Sequence, residues 1–116
     1  MAVDQIAITV PRTTWQEGSA FTATAYCRTR ASAAAATPTT LKYRIDCLTT
    51  GNEIADWTSV TAASSASISV TGTHNAIQSD ANDREVKQMT VMADDGLSTQ
   101  HRGTVRWTVE NLYGSP

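Results

Sequence analysis

The sequence predicts an all-β domain, an antiparallel two-sheet β-sandwich of about seven strands spanning residues 1–116. Three observations predict it. Apolar residues recur at every second position in several short segments, turn-forming residues separate those segments, and helical periodicity is nearly absent. A chain of 116 residues is long enough to bury one core and too short for a two-domain enzyme.

The first two predicted strands, residues 5–10 and 21–30, show this period most simply. In the first, apolar side chains recur at every second position from Ile6 to Val10, and Pro11 then ends the pattern. This suits a first or edge strand, because proline cannot donate a ladder hydrogen bond. The inward face of the second strand is Phe21, Ala23, Ala25 and Cys27.

The middle of the chain continues with a loop and two strands. Residues 31–40 contain four consecutive alanines, too few for a stable helix, and are interpreted as a mobile loop. Residues 41–48 alternate again, and residues 53–60 form a short strand whose Trp57 is expected to fold over the edge of the core. The predicted inward residues of the first of these strands are Leu41, Tyr43, Ile45 and Cys47.

The last third of the chain holds three more strands and one long connection. The strands are residues 65–70, 85–94 and 98–111, and the last two flank a hairpin turn at Asp95-Gly96. Residues 72–84 form an irregular connection, and connections of this length are often functional. The predicted inward residues are Ile68, Val70, Met89, Val91, Ala93, Val105, Trp107 and Val109.

The two cysteines, Cys27 and Cys47, lie twenty positions apart and match no zinc-ligand spacing. A disulfide between them is disfavoured, because their predicted heights along adjacent strands differ by about 10 Å and bonded Cα atoms rarely lie more than about 7 Å apart. The sequence therefore favours two reduced thiols in the core over a disulfide.

Charge and hydropathy exclude several classes of function. The net charge is −2 and lysine occurs only at Lys42 and Lys87, so no basic stripe is expected and nucleic acid is not an expected partner. No apolar run has the length of a membrane span, and the first residues lack the basic and apolar regions of a signal peptide. The expectation is a protein made in the cytoplasm, without a membrane partner.

No pattern predicts catalysis, a cofactor or a metal. His74 and His101 are the only histidines, and neither accompanies a nucleophile-elbow motif, so we expect no enzyme activity. The acidic cluster with Asp80, Asp83 and Glu85 suggests calcium, but it departs from the EF-hand pattern and an Asx-capped turn is favoured.

Two segments resemble fibronectin type III and related immunoglobulin-like domains. LKYRID at residues 41–46 and DWTSV at residues 56–60 look like their C and C′ strands, and VKQMTVMADDGLS at residues 86–98 looks like their F strand and F–G turn. The resemblance implies an immunoglobulin-like or fibronectin type III-like sandwich. The chain departs from the pattern because no tyrosine corner is visible before strand F.

The chain is also similar to small immunoglobulin-like proteins encoded among the virion structural genes of tailed bacteriophages. The likeness rests on low charge, Ala- and Thr-rich loops, and the Asp56-Trp57-Thr58 and Ala93–Leu97 segments. It implies a non-enzymatic virion protein that binds an assembled capsid, head–tail or tail lattice in multiple symmetric copies. Its expected partners are a major capsid, neck or tail protein, and its expected location is the virion.

Contact residues are expected in loops and on outward aromatic side chains. Trp15 and Tyr26 are the best aromatic candidates, although each also suits packing against a neighbouring loop. The rival hypothesis is a carbohydrate- or host-surface-binding module in which both rings are exposed. The strand at residues 5–10 or at residues 98–111 is a further candidate, for addition to a neighbour's sheet. The candidate partner-binding residues are Trp15, Glu17, Tyr26, Ala33, Ala34, Ala35, Ala36, His74, Gln78 and Asp80.

Overall fold

The described part of the chain is built entirely from strands, turns and loops. The computed structural model describes Val3 and residues 5–29, 34–79, 81–94 and 100–111. Within these ranges no helix has the length and apolar character to cross a membrane. The strands are β1 (Gln5–Thr9), β2 (Thr14–Gln16), β3 (Phe21–Arg28), β4 (Thr40–Cys47), β5 (Glu53–Val60), β6 (Ser65–Val70), β7 (Arg84–Asp94) and β8 (Gln100–Glu110).

The strands form two sheets, in the orders β1-β3-β6 and β2-β8-β7-β4-β5. This confirms the predicted all-β, two-sheet sandwich. The expectation of about seven strands misses β2, because its three residues offer a single alternation. β2 also pairs with β8 in parallel, whereas the other paired strands are antiparallel. The predicted turn at Asp95-Gly96 lies outside the described residues.

The core fills the space between the inner faces of the two sheets. Trp107 on β8 meets Phe21 edge to face with ring centroids 5.2 Å apart, and Phe21 stacks on Trp15 at 4.5 Å. Aromatic pairs of this kind contribute about 1 kcal/mol beyond the area they bury. The predicted inward residues that are buried are Phe21, Ala23, Ala25, Cys27, Leu41, Ile45, Cys47, Ile68, Val70, Met89, Val91, Ala93, Trp107 and Val109. Tyr43 and Val105 are partly buried and pack against them.

Both cysteines are buried, and neither forms a disulfide. Burial raises the pKa of the Cys27 thiol, because an apolar environment disfavours the thiolate. The prediction of two reduced core thiols is therefore confirmed.

The outer face of the three-stranded sheet explains much of the composition. Most of its outward positions on β3 and β6 carry small hydroxyl side chains, which suit a pleated surface without adding charge. The residues concerned are Thr22, Thr24, Ser65, Ser67 and Ser69.

The loop predicted at residues 31–40 is partly a strand-like segment. Ala35 forms a bridge with Arg28, the Thr29 amide donates to the Ala34 carbonyl, and the Ala36 amide donates to the Cys27 carbonyl. Ala36 itself is buried in the core. Residues 34–36 therefore lie beside the end of β3 within a segment whose described part is otherwise a loop, as predicted, and the mobility of that loop stays a prediction.

Candidate functional site

The predicted contact residues do not form one site. β3 begins at Phe21 beside Val70 and ends at Arg28 beside Ala35, so the alanine segment and Tyr26 lie toward one end of the sandwich. Glu17 lies at the other end, where the Gly18 amide donates to the Asn75 carbonyl at 3.1 Å. His74 and Gln78 belong to this second end. Ala34 and Ala35 are exposed. Ala33 and Asp80 lie outside the described residues.

Trp15 is not an exposed contact residue. Its side chain is 9% exposed, its ring stacks on Phe21, and its Nε1 donates to the Arg12 carbonyl at 2.9 Å. The Arg12 guanidinium covers the ring at 4.3 Å from the centroid. Because β2 places this side chain between the sheets, the ring belongs to the core. The expectation of an exposed Trp15 platform is wrong, as is the choice of Ala36 as an exposed contact.

Tyr26 is half-buried on the outer face of the three-stranded sheet. The Arg28 guanidinium lies 5.4 Å from its ring centroid. Both residues belong to β3, two positions apart, so they lie on the same face. Within the described residues of β3 and β6, Tyr26 is therefore the one aromatic side chain on this outer face, beside Arg28 and a set of serines and threonines.

The acidic cluster contains a buried ion pair in place of a cation site. Glu85 and Lys87 are both 0% exposed, and Lys87 Nζ lies 2.9 Å from Glu85 Oε1. Glu85 also accepts hydrogen bonds from the amides of Gln78 and Ser79 and from Asn82 Nδ2. Its oxygens thus face donors, which is the environment of a satisfied carboxylate rather than of a metal ligand. Within the described residues, no cluster of three or more metal-ligating side chains is present.

This network lowers the pKa of the Glu85 carboxyl to about 2. Burial acts in the opposite direction and is the largest single influence. The hydrogen bonds from Gln78, Asn82, Lys87 and Ser79 together outweigh it, because each favours the carboxylate. Glu85 and Lys87 occupy the same alternating positions of β7 as Met89, which faces the core. The alternation along β7 therefore indicated that both charged side chains face inward.

Asn75 fastens the rest of the long connection to the core. Its Oδ1 accepts from Trp107 Nε1 at 2.7 Å, and its Nδ2 donates to the Ser19 carbonyl at 2.7 Å. Farther along, Lys87 Nζ donates to the Ala76 carbonyl at 2.9 Å. The side chains of Asn75 and Lys87 therefore attach the connection between β6 and β7 to the core. The sequence predicted a long loop here but not these hydrogen bonds.

The outer face of the five-stranded sheet presents a different chemistry. The side-chain cations of Lys42, Arg44 and Arg102 each lie 5.7 Å from the ring centroid of Trp57. These residues come from β4, β8 and β5, and together with Met92 on β7 we call them the Trp57 cluster. Trp57 is half-buried. It therefore lies among cations on the outer face, and the expectation that it folds over the core edge is wrong.

Met92 marks the centre of the Trp57 cluster. It pairs with Lys42 on one side and Arg102 on the other, and it is 5% exposed although it shares the outer parity of these residues. Neighbouring side chains must therefore shield Met92 from solvent. Met92 lies between Lys42 and Arg102, and long cationic side chains of this kind cover apolar surface with their aliphatic stems while their charged ends stay in water.

Charges within the Trp57 cluster are unequally neutralised. Arg44 donates from Nε and Nη2 to the two carboxylate oxygens of Asp46, at 2.9 and 2.7 Å, and its Nη2 lies 3.3 Å from Glu53 Oε2. The hydrogen bonds that the Arg44 guanidinium donates to Asp46 raise its pKa. Lys42 and Arg102 form no ion pair with any described residue. They therefore leave positive charge beside an aromatic ring.

No protein-family model, curated protein sequence or solved structure matches the chain.

Proposed function

We propose that this chain is a non-enzymatic structural protein of a tailed-bacteriophage virion, and that it binds an assembled protein lattice through the Trp57 cluster. The lattice would be formed by a major capsid, neck or tail protein. The virion assignment comes from the resemblance in sequence. The observation that supports a binding role is the position of an amphipathic tryptophan between Lys42 and Arg102, which have no carboxylate partner among the described residues.

The chemistry of the cluster favours a protein partner with acidic side chains. Tryptophan and arginine are enriched where truncation of one side chain costs most binding free energy. A carboxylate from the partner would pair with Lys42 or Arg102, while the ring of Trp57 loses its remaining contact with water. The outer face of the three-stranded sheet carries mainly hydroxyl side chains on β3 and β6. The outer face of the five-stranded sheet, with Trp57 and its cations, is chemically different.

The strand order supports an immunoglobulin-like or fibronectin type III-like identity for the sandwich. In such domains the G, F, C and C′ strands form one sheet. β8, β7, β4 and β5 lie in the corresponding order here. This agreement is one of arrangement only, and the identity remains part of the proposal.

The carbohydrate-binding hypothesis loses its main residue with the burial of Trp15. Tyr26 remains partly accessible, but a lone ring does not make a stacking platform. The three cations beside Trp57 favour an anionic partner over a neutral sugar. We therefore retain the lattice-binding function alone.

The test compares two aromatic truncations on opposite sheets. Purified chain is mixed with virions of the phage that encodes it, after removal of the endogenous copy, and bound chain is measured by co-sedimentation. Trp57→Ala is expected to weaken binding by at least about 30-fold, the loss typical of a central interface residue. Tyr26→Ala is the matched control, since Tyr26 also lies beside an arginine.

A charge reversal provides the second arm of this experiment. Arg102→Glu is expected to weaken binding more strongly than Arg28→Glu, which changes charge equally on the other sheet. Each variant is first checked for an unchanged unfolding midpoint in urea. Absence of the chain from purified virions would overturn the virion assignment, and equal losses in Trp57→Ala and Tyr26→Ala would overturn the role of the Trp57 cluster.

A further inference from the structure

The edge strands of the two sheets are unequally protected against pairing with another chain. β5 borders the five-stranded sheet, and its pairing with β4 has register irregularities on either side of Ile45. It also carries Glu53 and Asp56. Bulges and charges are the usual means by which natural sheets keep an edge from pairing. β2, at the opposite border, has only three residues.

β1 and β8 differ from β6 as candidates for strand addition. β8 pairs with β7 along its length but with β2 only at Thr108–Glu110, and the rest of that strand carries charged side chains such as Arg102 and Arg106, which keep natural edges from pairing. Its addition to a neighbour's sheet stays a prediction. β1 passes so close to β8 that a Cβ atom built at Gly103 would lie 2.7 Å from the Ile6 carbonyl oxygen. The free side of β1 therefore faces the other sheet of its own molecule.

β6 has none of these protections. Among the described strands it pairs only with β3, and its sequence SASISV contains no charge and no proline. Its pairing with β3 is continuous from Ser65 to Val70, without a bulge. A shallow groove of about 470 Å³ runs beside it, lined by Ser59, Val60, Thr61, Ala63, Ser65, Ala66 and Ser67.

The hydrogen bonds of the sheet show which backbone groups of β6 are free. The Cys27 amide donates to the Ser64 carbonyl, and hydrogen-bonded pairs alternate along an antiparallel ladder. Ala66, Ile68 and Val70 therefore bond to β3. The amides and carbonyls of Ser65, Ser67 and Ser69 point to the free edge of the sheet.

We propose that β6 pairs antiparallel with β6 of a second copy of this chain, about a two-fold axis at Ser67. In that register Ser67 lies opposite Ser67 of the partner subunit, and Ser65 lies opposite Ser69 of the partner subunit. All free backbone groups of these serines then bond across the axis. The apolar side chains of both strands stay on the core side and the serines on the outer side, so the pairing creates no buried polar side chain.

The absence of charge on β6 favours a second copy over an unrelated strand. Two identical charged edges would repel, because like charges directly opposite are destabilising, whereas two uncharged edges do not. A six-residue contact is small, so the dimer is expected to be weak and to form where copies are concentrated. This inference does not depend on the proposed function.

The test measures mass by sedimentation equilibrium from micromolar to millimolar concentration. The mass of the unmodified chain is expected to rise toward twice the monomer value. Ser67→Pro removes an amide that faces the free edge and bonds to no described residue, so it is expected to keep the fold and to remain monomeric. Ser67→Lys places two positive charges opposite each other and is expected to give the same result.

The control is Thr9→Lys, which adds the same charge to an exposed position on β1 at the opposite border of that sheet. It is expected to dimerise like the unmodified chain. A monomer at every concentration overturns the proposal, and so does a dimer that Thr9→Lys abolishes or that both Ser67 variants retain. A Ser67 amide that becomes protected from hydrogen exchange only when virions are added would assign β6 to a different protein partner.

Discussion

Glu85 and Lys87 show how a charged pair is held inside a domain with so few charges. A buried ion costs several kcal/mol to remove from water, and this cost is offset only when its hydrogen bonds are satisfied. Here the carboxylate accepts hydrogen bonds from two backbone amides, the Asn82 side-chain amide and the Lys87 ammonium, and the ammonium also donates to the Ala76 carbonyl. Through these hydrogen bonds the pair holds the connection before β7 in place. Two apolar side chains could not form them.

Removing the charge of Glu85 alone is expected to destabilise the fold. Glu85→Gln leaves the Lys87 ammonium buried without a counter-charge, and the expected loss in the free energy of unfolding is about 3–5 kcal/mol. Urea unfolding at pH 7 measures it. Glu53→Gln is the control, because Glu53 lies on the surface 3.3 Å from Arg44 and is expected to cost less than about 1 kcal/mol.

A double variant separates the charge from the packing. Glu85→Gln combined with Lys87→Met leaves no unpaired buried charge, so it is expected to recover part of the stability lost by Glu85→Gln. A Glu85→Gln single variant within about 1 kcal/mol of the unmodified chain would contradict the importance of this pair.

At the scale of elements, the sandwich is closed on one side and open on the other. β1 lies against β8 on the closed side, where Gly103 lacks the Cβ atom that would meet Ile6. On the other side β5 and β6 border different sheets, with the groove of Ser59 to Ser67 between them. One glycine therefore determines how closely the first strand can approach the last.

Gly103→Ala is expected to destabilise the closed side. The new Cβ atom would lie 2.7 Å from the Ile6 carbonyl oxygen and 3.0 Å from its Cγ2, so β1 must shift. Overpacking of this kind costs about 1–3 kcal/mol. Urea unfolding measures the loss, and faster hydrogen exchange at the β1 amides locates it. Thr104→Ala, an exposed neighbour on β8, is expected to change little, and equal effects of both substitutions would refute the role of the close approach.

At the scale of the whole molecule, the titration of Glu85 and His74 is expected to make the fold less stable in acid. The pKa of Glu85 is about 2 in the fold, below its ordinary value of 4.5, so its contribution is complete above pH 4.5 and is lost as the pH falls toward 2. Burial also lowers the pKa of His74, whose Nδ1 accepts from the Thr71 amide. Its contribution is complete above pH 6.5 and declines as the pH falls through its folded value.

The free energy of unfolding is therefore expected to decline with acidification in two windows. In the lower window the free energy of unfolding is expected to fall by about 3 kcal/mol, because the lowered pKa of Glu85 no longer contributes. Urea unfolding at a series of pH values measures both windows. Glu85→Gln is expected to remove the lower one and His74→Gln the upper one, and a decline that survives unchanged in both variants would contradict this assignment.

Periodicity of the sequence was sufficient to predict the two sheets and most of the core. It worked because residues such as Ala23, Ile45 and Val91 alternate with polar neighbours along whole strands. It failed for β2, since three residues carry too little pattern, and the core position of Trp15 between the sheets was therefore not predicted. For Lys87 the period of β7 did indicate an inward side chain, but the rule that lysine faces water argued against it.

The Trp57 cluster could not be predicted from the sequence, for a different reason. Its cations come from β4 and β8, and a residue of β8 is beside Trp57 only because β7 pairs with both strands. The order of strands in a sheet is a non-local property that no short segment encodes. Surface chemistry that spans several strands is therefore the part of the molecule that only the fold reveals.

The parallel pairing of β2 with β8 gives the domain a direction of mechanical strength. Tension that draws the segment entering β2 away from the segment leaving β8 acts along both strands in opposite senses. The bonds between them, from the Thr108 amide to the Thr13 carbonyl and from the Glu17 amide to the Glu110 carbonyl, are then loaded in shear. They must break together, whereas bonds in a ladder peeled from one end break singly. A pull along the strands therefore meets more resistance than a pull across them.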